Sequence, residues 1–123
     1  MSLLFIINPN SGHIRRRPAL SGMIQDFISK SGMKAEVVRT THPGHATEIA
    51  AKAAAEGWRV AVAVGGDGTV NEVGRALLGT TTALGVIPLG SGNGLARELG
   101  IPLSTSAALR NLLTGSPRRI DAG

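Results

Sequence analysis

Residues 59–64 read RVAVAV, break off into GGDG (65–68), and give way to a stretch of helical period. The apolar run after Arg59 leaves no face of a strand for water. Such a strand is covered on both sides, as strands of parallel sheets are. Parallel neighbours need a crossover between them, and the rest of the chain alternates accordingly. LLFII (3–7) reads as a buried strand ending in the turn formers NPNSG (8–12). From Pro18 to Ser31, the residues Leu20, Met23, Ile24, Phe27 and Ile28 recur at helical spacing, and Gly32 supplies the stop. AEVVRT (35–40) is a second strand and THPG turns the chain. A helix over 45–56 then carries Ala46, Ile49, Ala50 and Ala53 on one face, all but one of them small enough for close approach to a sheet. Residues 69–78 predict a helix with Val70, Val73, Leu77 and Leu78 inward, and ALGVIPL (83–89) predicts a fourth strand. Residues 91–99 and 104–114 read as two further helices, and RRID (118–121) as the start of another strand.

This order predicts an α/β domain of three layers around a mostly parallel sheet. With 123 residues, 42% of them hydrophobic, the chain is long enough for one domain with its own core. Right-handed crossovers gather the loops that follow the strands along one edge. Ligands of such sheets bind there, outside the carboxyl ends of the strands. Three of those loops are rich in glycine or turn formers: NPNSG (8–12), GGDGT (65–69) and GSGNG (90–94).

Composition narrows the ligand. The chain has no cysteine, so disulfides and thiolate metal sites are out, which fits a cytoplasmic protein. No apolar run approaches the roughly 20 residues that span a bilayer. LLFII has no basic flank before it, which argues against a signal peptide. A net charge of +5 points to an anionic partner. With two Phe, one Trp and no Tyr, no nucleic acid partner is expected, because stacking platforms need aromatic rings. Phosphorylated ligands and anionic membrane surfaces are left. The run Arg15, Arg16, Arg17 reads either as a solvated loop or as attraction to one of these.

The glycine loops have a definite chemistry. Gly65, Gly66 and Gly68 remove the Cβ atoms that would hold a ligand off the backbone. Amides at the head of the following helix, and its dipole, favour an anion there. One such site contributes about 0.3–2 kcal/mol per charge, so several loops must act together. GSGNG, with Gly90, Ser91, Gly92 and Asn93, offers a second site, and NPNSG a third. Asp67 does not suit a bare phosphate cradle, since two anions repel. A divalent cation between them removes the conflict, and Mg²⁺ both bridges phosphate oxygens and accepts a carboxylate. The alternative is that Asp67 caps the next helix. Thr69 and Glu72 have the spacing of a capping box. Asn71 reaches a ribose or phosphate, or is solvated.

Several familiar sites are excluded. Neither glycine loop carries the Lys of a Walker A motif. Asn71 or Leu95 stands where a dinucleotide fingerprint needs its third glycine. His13, His42 and His45 follow no helical zinc-site pattern and read as exposed loop residues. GSGNG is not the G-x-S-x-G of a serine hydrolase.

Taken together, NPNSG (8–12), TTHPGHA (40–46), VGGDGTVNEV (64–73), IPLGSGNGLARELGIP (87–102) and RRIDAG (118–123) resemble the diacylglycerol kinase catalytic-domain family of lipid kinases. GGDGT alone also occurs in NAD kinases and phosphofructokinases; its combination with NPNSG and PLGSGN is far more specific. The resemblance implies a two-domain enzyme whose first, α/β domain carries the nucleotide loops. A β-rich second domain, absent from this chain, would complete the lipid site. ATP and Mg²⁺ would lie between them, and the γ-phosphoryl group would pass to the hydroxyl of a diacylglycerol-like or sphingoid lipid. The positions matching the family's ATP contacts are Thr40, the stretch Gly66, Asp67, Gly68, Thr69, Val70, Asn71, Glu72, and Ser91. Asn8 and Ser11 match the opening loop, and Asp67 matches the signature aspartate placed near the metal. Many bacterial members read G-T-G-N-D where this chain has GSGNG: Ser91 keeps the hydroxyl and Gly94 lacks the carboxylate. The resemblance further implies peripheral contact with a membrane and a catalytic base in the absent domain. The 123 residues alone are then expected to be inactive, and an exposed face for the second domain to promote self-association. An NAD kinase-like enzyme and a non-catalytic nucleotide-binding module are the alternatives.

Overall fold

The structure, a computed structural model, describes residues 2–10 and 20–88. The expectations placed on Ser11, on the arginine run 15–17, on the GSGNG loop (90–94) and on the elements beyond it lie outside the described residues. Seven elements follow one another: β1 (Ser2–Ile7), α1 (Leu20–Ser31), β2 (Lys34–Arg39), α2 (His45–Ala55), β3 (Val60–Gly65), α3 (Asp67–Leu77) and β4 (Ala83–Pro88). The four strands form one sheet in the order β2-β1-β3-β4, every pair parallel. The expected three-layer α/β arrangement is the one observed.

The pleat of the strands decides which helix lies on which face. Leu3, Phe5 and Ile7 of β1 pack with Val60, Val62 and Val64 of β3 and with Leu20 and Ile24 of α1. Phe5 meets Phe27 of α1 edge-on, with ring centroids 6.3 Å apart. Leu4 and Ile6 face the opposite way with Ala61, Ala63, Leu84 and Val86, against α2 and α3. Ala46, Ala50 and Ala53 present α2's small side to Ala61 and Ala63, so α2 approaches the sheet closely. Each buried Val, Leu or Phe side chain contributes about 1.5–3 kcal/mol by leaving water.

Two apolar residues depart from the expected faces. Met23, at the margin of α1's stripe, is exposed. Leu78 is exposed as well, because the chain leaves the helix there at φ −56°, ψ 129°. The stripe of α3 therefore ends at Leu77.

The sheet order also fixes where a ligand can sit. From β1 the chain steps to one side to reach β2, then returns past β1 to β3 and continues outward to β4. A crossover of constant hand places its helix on opposite faces when the direction reverses. That is why, among the described residues, α1 lies on one face and α2 and α3 on the other. The loops leaving the carboxyl ends of β1 and β3 diverge at this reversal and open a crevice.

Candidate functional site

Three chain segments meet at that crevice. The main-chain N–H of Thr40 donates to the Ile7 carbonyl at 2.8 Å, which extends the β1–β2 pairing and brings buried Thr40 alongside the end of β1. Asn8 follows β1, and its Oδ1 accepts the Asn10 N–H at 3.0 Å. This Asx turn leaves the Asn8 amide hydrogens available as donors. On the other side, β3 ends at Gly65. A Cβ there would lie 3.0 Å from Thr69 Oγ1, and the backbone φ is 156°. Gly65 is thus required by the tight strand-to-helix handover.

The helix begins earlier than the sequence implies. Its first residue is Asp67, and Gly66 occupies the N-cap position with no side-chain cap. Asp67 therefore lies one residue beyond the capping position. Thr69 is buried within the first turn, and the Glu72 carboxylate reaches elsewhere, so the two do not form a capping box. Val70 N–H is taken by the Gly66 carbonyl at 3.2 Å and its side chain is wholly buried. Val70 accordingly offers a ligand neither side chain nor amide, against the expectation that it contacts one. The residues Asp67, Gly68 and Thr69 precede the first helical hydrogen bond and stand at the positive end of the helix dipole.

These segments line a cleft of about 720 Å³. Of the residues expected at a site, Asn8, Thr40, Gly66, Asp67, Gly68, Thr69, Asn71 and Glu72 border it. Gly65 and Val70 lie beneath it. Ser11, Gly90, Ser91, Gly92 and Asn93 lie outside the described residues. The cleft also takes in Thr41, His42, Pro43 and Arg75, which residue-by-residue reasoning did not select. Arg75 was legible: Asp67, Asn71 and Arg75 recur every four residues, so they share one face of α3.

The electrostatics of the cleft are mixed. The positive end of the α3 dipole favours an anion, while Asp67 and Glu72 carry negative charge at the same rim. Asp67 Oδ1 is buried although the residue as a whole is half-exposed. Among the described residues no group of three or more His, Asp or Glu side chains could hold a metal ion. A cation at Asp67 would take most of its ligands from phosphate and water, which is how Mg²⁺ is commonly held. Gly68 is exposed, in helical conformation, and a Cβ there would meet nothing within 4 Å. Nothing among the described residues requires a glycine at that position.

The far wall is the loop joining β2 to α2. Thr41 N–H donates to His45 Nδ1 at 2.9 Å. The His42 and His45 rings stack with centroids 4.4 Å apart, and His42 Nε2 lies 3.2 Å from Glu48 Oε2. The two histidines thus bond within the loop and to α2, where the sequence gives no more than exposed residues. Gly44, at φ 83° and at the N-cap of α2, donates its N–H to Glu72 Oε1 at 3.0 Å.

Comparison with known proteins agrees with this fold. The family model of the diacylglycerol kinase catalytic domain matches residues 2–123. The chain is 40% identical over 121 residues to a diacylglycerol kinase of Bacillus subtilis, spanning 96% of this chain and 40% of that protein. It is 37% identical over 119 residues to sphingoid long-chain bases kinase 1 of Arabidopsis thaliana, spanning 87% of this chain and 15% of that protein. The crystal structure of a diacylglycerol kinase from Bacillus anthracis superimposes with a TM-score of 0.78 at 26% identity, over 92% of this chain and 39% of that one. The chain thus spans less than half the length of these relatives, and it belongs to the diacylglycerol kinase catalytic domain family.

Proposed function

We propose that the chain is the nucleotide-binding domain of a lipid kinase. It holds ATP with Mg²⁺ in the cleft between β1, the 40–45 loop and α3, for transfer of the γ-phosphoryl group to a lipid hydroxyl. The observation that carries this reading is the start of α3: the N-cap Gly66 and the first-turn residues Asp67, Gly68 and Thr69 bring the positive end of the helix and one carboxylate to a cleft of about 720 Å³ at the sheet's reversal. That combination suits a polyphosphate accompanied by a cation, and family membership favours a lipid over NAD as acceptor.

Phosphoryl transfer asks mainly for positioning and charge stabilisation. The Asp67, Gly68 and Thr69 amides hold phosphate oxygens at the dipole end of α3. Asn8 donates to the nucleotide from across the cleft, and Thr40 and Asn71 border the remainder of it. Asp67 would hold Mg²⁺, which when bound neutralises charge on the β- and γ-phosphates. The acceptor oxygen bonds to the γ-phosphorus as its bond to the β–γ bridging oxygen breaks. The acceptor proton passes to a base that we place outside this chain, in a following domain that also forms the lipid pocket. Contact with a membrane would be peripheral; no helix among the described residues is long and apolar enough to cross one.

The test is an acceptor panel with the full-length protein, Mg-ATP, and diacylglycerol, a sphingoid base or NAD. The reading expects a phosphorylated lipid. Phosphorylated NAD, or no ATP-dependent product with any acceptor, would contradict it.

A further inference from the structure

We infer that Arg75 holds the base of the nucleotide: its guanidinium stacks on the ring from α3, opposite the His42 imidazole on the far wall. The inference rests on the nucleotide reading of the cleft and adds the part of the ligand that the first turn of α3 does not reach. Asp67, Asn71 and Arg75 share one face of α3, and all three border the cleft. From Asp67 to Arg75 the helix axis rises about 12 Å. Phosphates at the head of α3, with the nucleoside running along this face, bring the ribose near Asn71 and the base near Arg75.

The side chains at hand decide what can grip a flat ring there. The chain has two Phe, one Trp and no Tyr, and none of the three borders the cleft. Phe5 and Phe27 meet each other on the α1 face, and Trp58 is buried beside a second cavity of about 390 Å³. The extended planar groups that do border the cleft are the Arg75 guanidinium and the His42 imidazole. A guanidinium stacks on aromatic faces. Arg75 is exposed, and among the described residues no ion pair holds it. Glu72, three residues before it, is a ready partner on the helix surface, but its Oε1 accepts the Gly44 N–H at 3.0 Å. Both ring nitrogens of His42 are engaged: Nε2 lies 3.2 Å from Glu48 Oε2, and Nδ1 2.9 Å from Thr41 Oγ1. One face of the ring stacks on His45, which borders the second cavity rather than the cleft. The other face is what His42 offers a ligand. A phosphate contact is the alternative use of an arginine, and the level of Arg75, two turns along α3, sets it apart from phosphates at the helix head.

The two uses differ in what a ligand without a base would feel. The 123-residue chain, Arg75→Lys, Arg75→Ala and His42→Ala are titrated by calorimetry with Mg-ADP and with Mg-pyrophosphate, with thermal melting to check the fold. Arg75→Lys keeps the charge and loses the plane. It should weaken Mg-ADP about fivefold and leave Mg-pyrophosphate within about twofold of the parent. Arg75→Ala and His42→Ala should likewise weaken Mg-ADP and spare Mg-pyrophosphate. If His42→Ala does not fold, the two arginine variants still decide. Equal losses for both ligands in Arg75→Ala would make Arg75 a phosphate contact and overturn the inference. So would Mg-ADP affinity unchanged in Arg75→Lys or in His42→Ala. A parent chain that takes up neither ligand would refute the nucleotide reading and the inference with it. A parent that takes up both, with variants that lose nothing, would keep that reading and refute the base site.

Discussion

At Gly68 the stability and binding effects of one added methyl group should have opposite signs. Gly68 is the second residue of α3, exposed, in helical conformation, and a Cβ added there would have nothing within 4 Å. An alanine there is better for the helix by about 0.5–1 kcal/mol, less any allowance for sitting in the first turn rather than the interior. For a domain of this size that is a rise in Tm of about 2–5 °C. The same methyl stands over the amides of α3's first turn, where we place the phosphates. Loss of one amide contact near a helix terminus costs about 1 kcal/mol, or roughly fivefold in affinity. Gly68→Ala should therefore melt higher and bind Mg-ADP more weakly, as read by calorimetry on the same preparations. A variant that melts higher and binds as the parent does would show that no ligand approaches this backbone, and the reasoning would fail. A variant that melts lower would show that the position is not the open helical one described.

Two further substitutions probe the same handover. Asp67→Asn in the full-length protein should lower turnover by at least about a hundredfold while Tm moves by no more than a few degrees, because Asp67 is not the N-cap and we propose its charge for the cation; retained turnover would reduce Asp67 to a favourable charge at a helix end. Gly65→Ala should destabilise by about 1–3 kcal/mol, since its methyl would press 3.0 Å from Thr69 Oγ1 on a rigid β-branched side chain; an unchanged denaturation midpoint would mean the strand end yields without cost.

Most of the fold could be read from the residues because burial on both faces leaves a plain record. Continuous runs such as VAVAV and LLFII have one structural use, and the intervening helical stripes have another. What escaped reading has physical reasons. The start of α3 was hidden because glycine at Gly66 caps by default and carries no side-chain signal, while Thr69 and Glu72 mimic a capping box further along. The partner of Glu72 is a main-chain N–H 28 residues away, and no local spacing encodes that. Leu78 is apolar yet exposed, because the helix ends one residue before it. The glycines, Asp67 and Asn71 could be picked out because their types are odd for their places. Thr41, His42 and Pro43 were ordinary loop residues until the β1–β2 pairing at Thr40 carried them to the cleft.

The central claim is that the first turn of α3, with Asp67, receives a magnesium-bearing polyphosphate. A crystal structure of the chain with ADP and Mg²⁺ tests it most directly. The account predicts phosphate oxygens within hydrogen-bond distance of the Asp67, Gly68 and Thr69 amides and the cation on the Asp67 side of the phosphates. Nucleotide bound elsewhere, with the 65–69 turn empty, would contradict it.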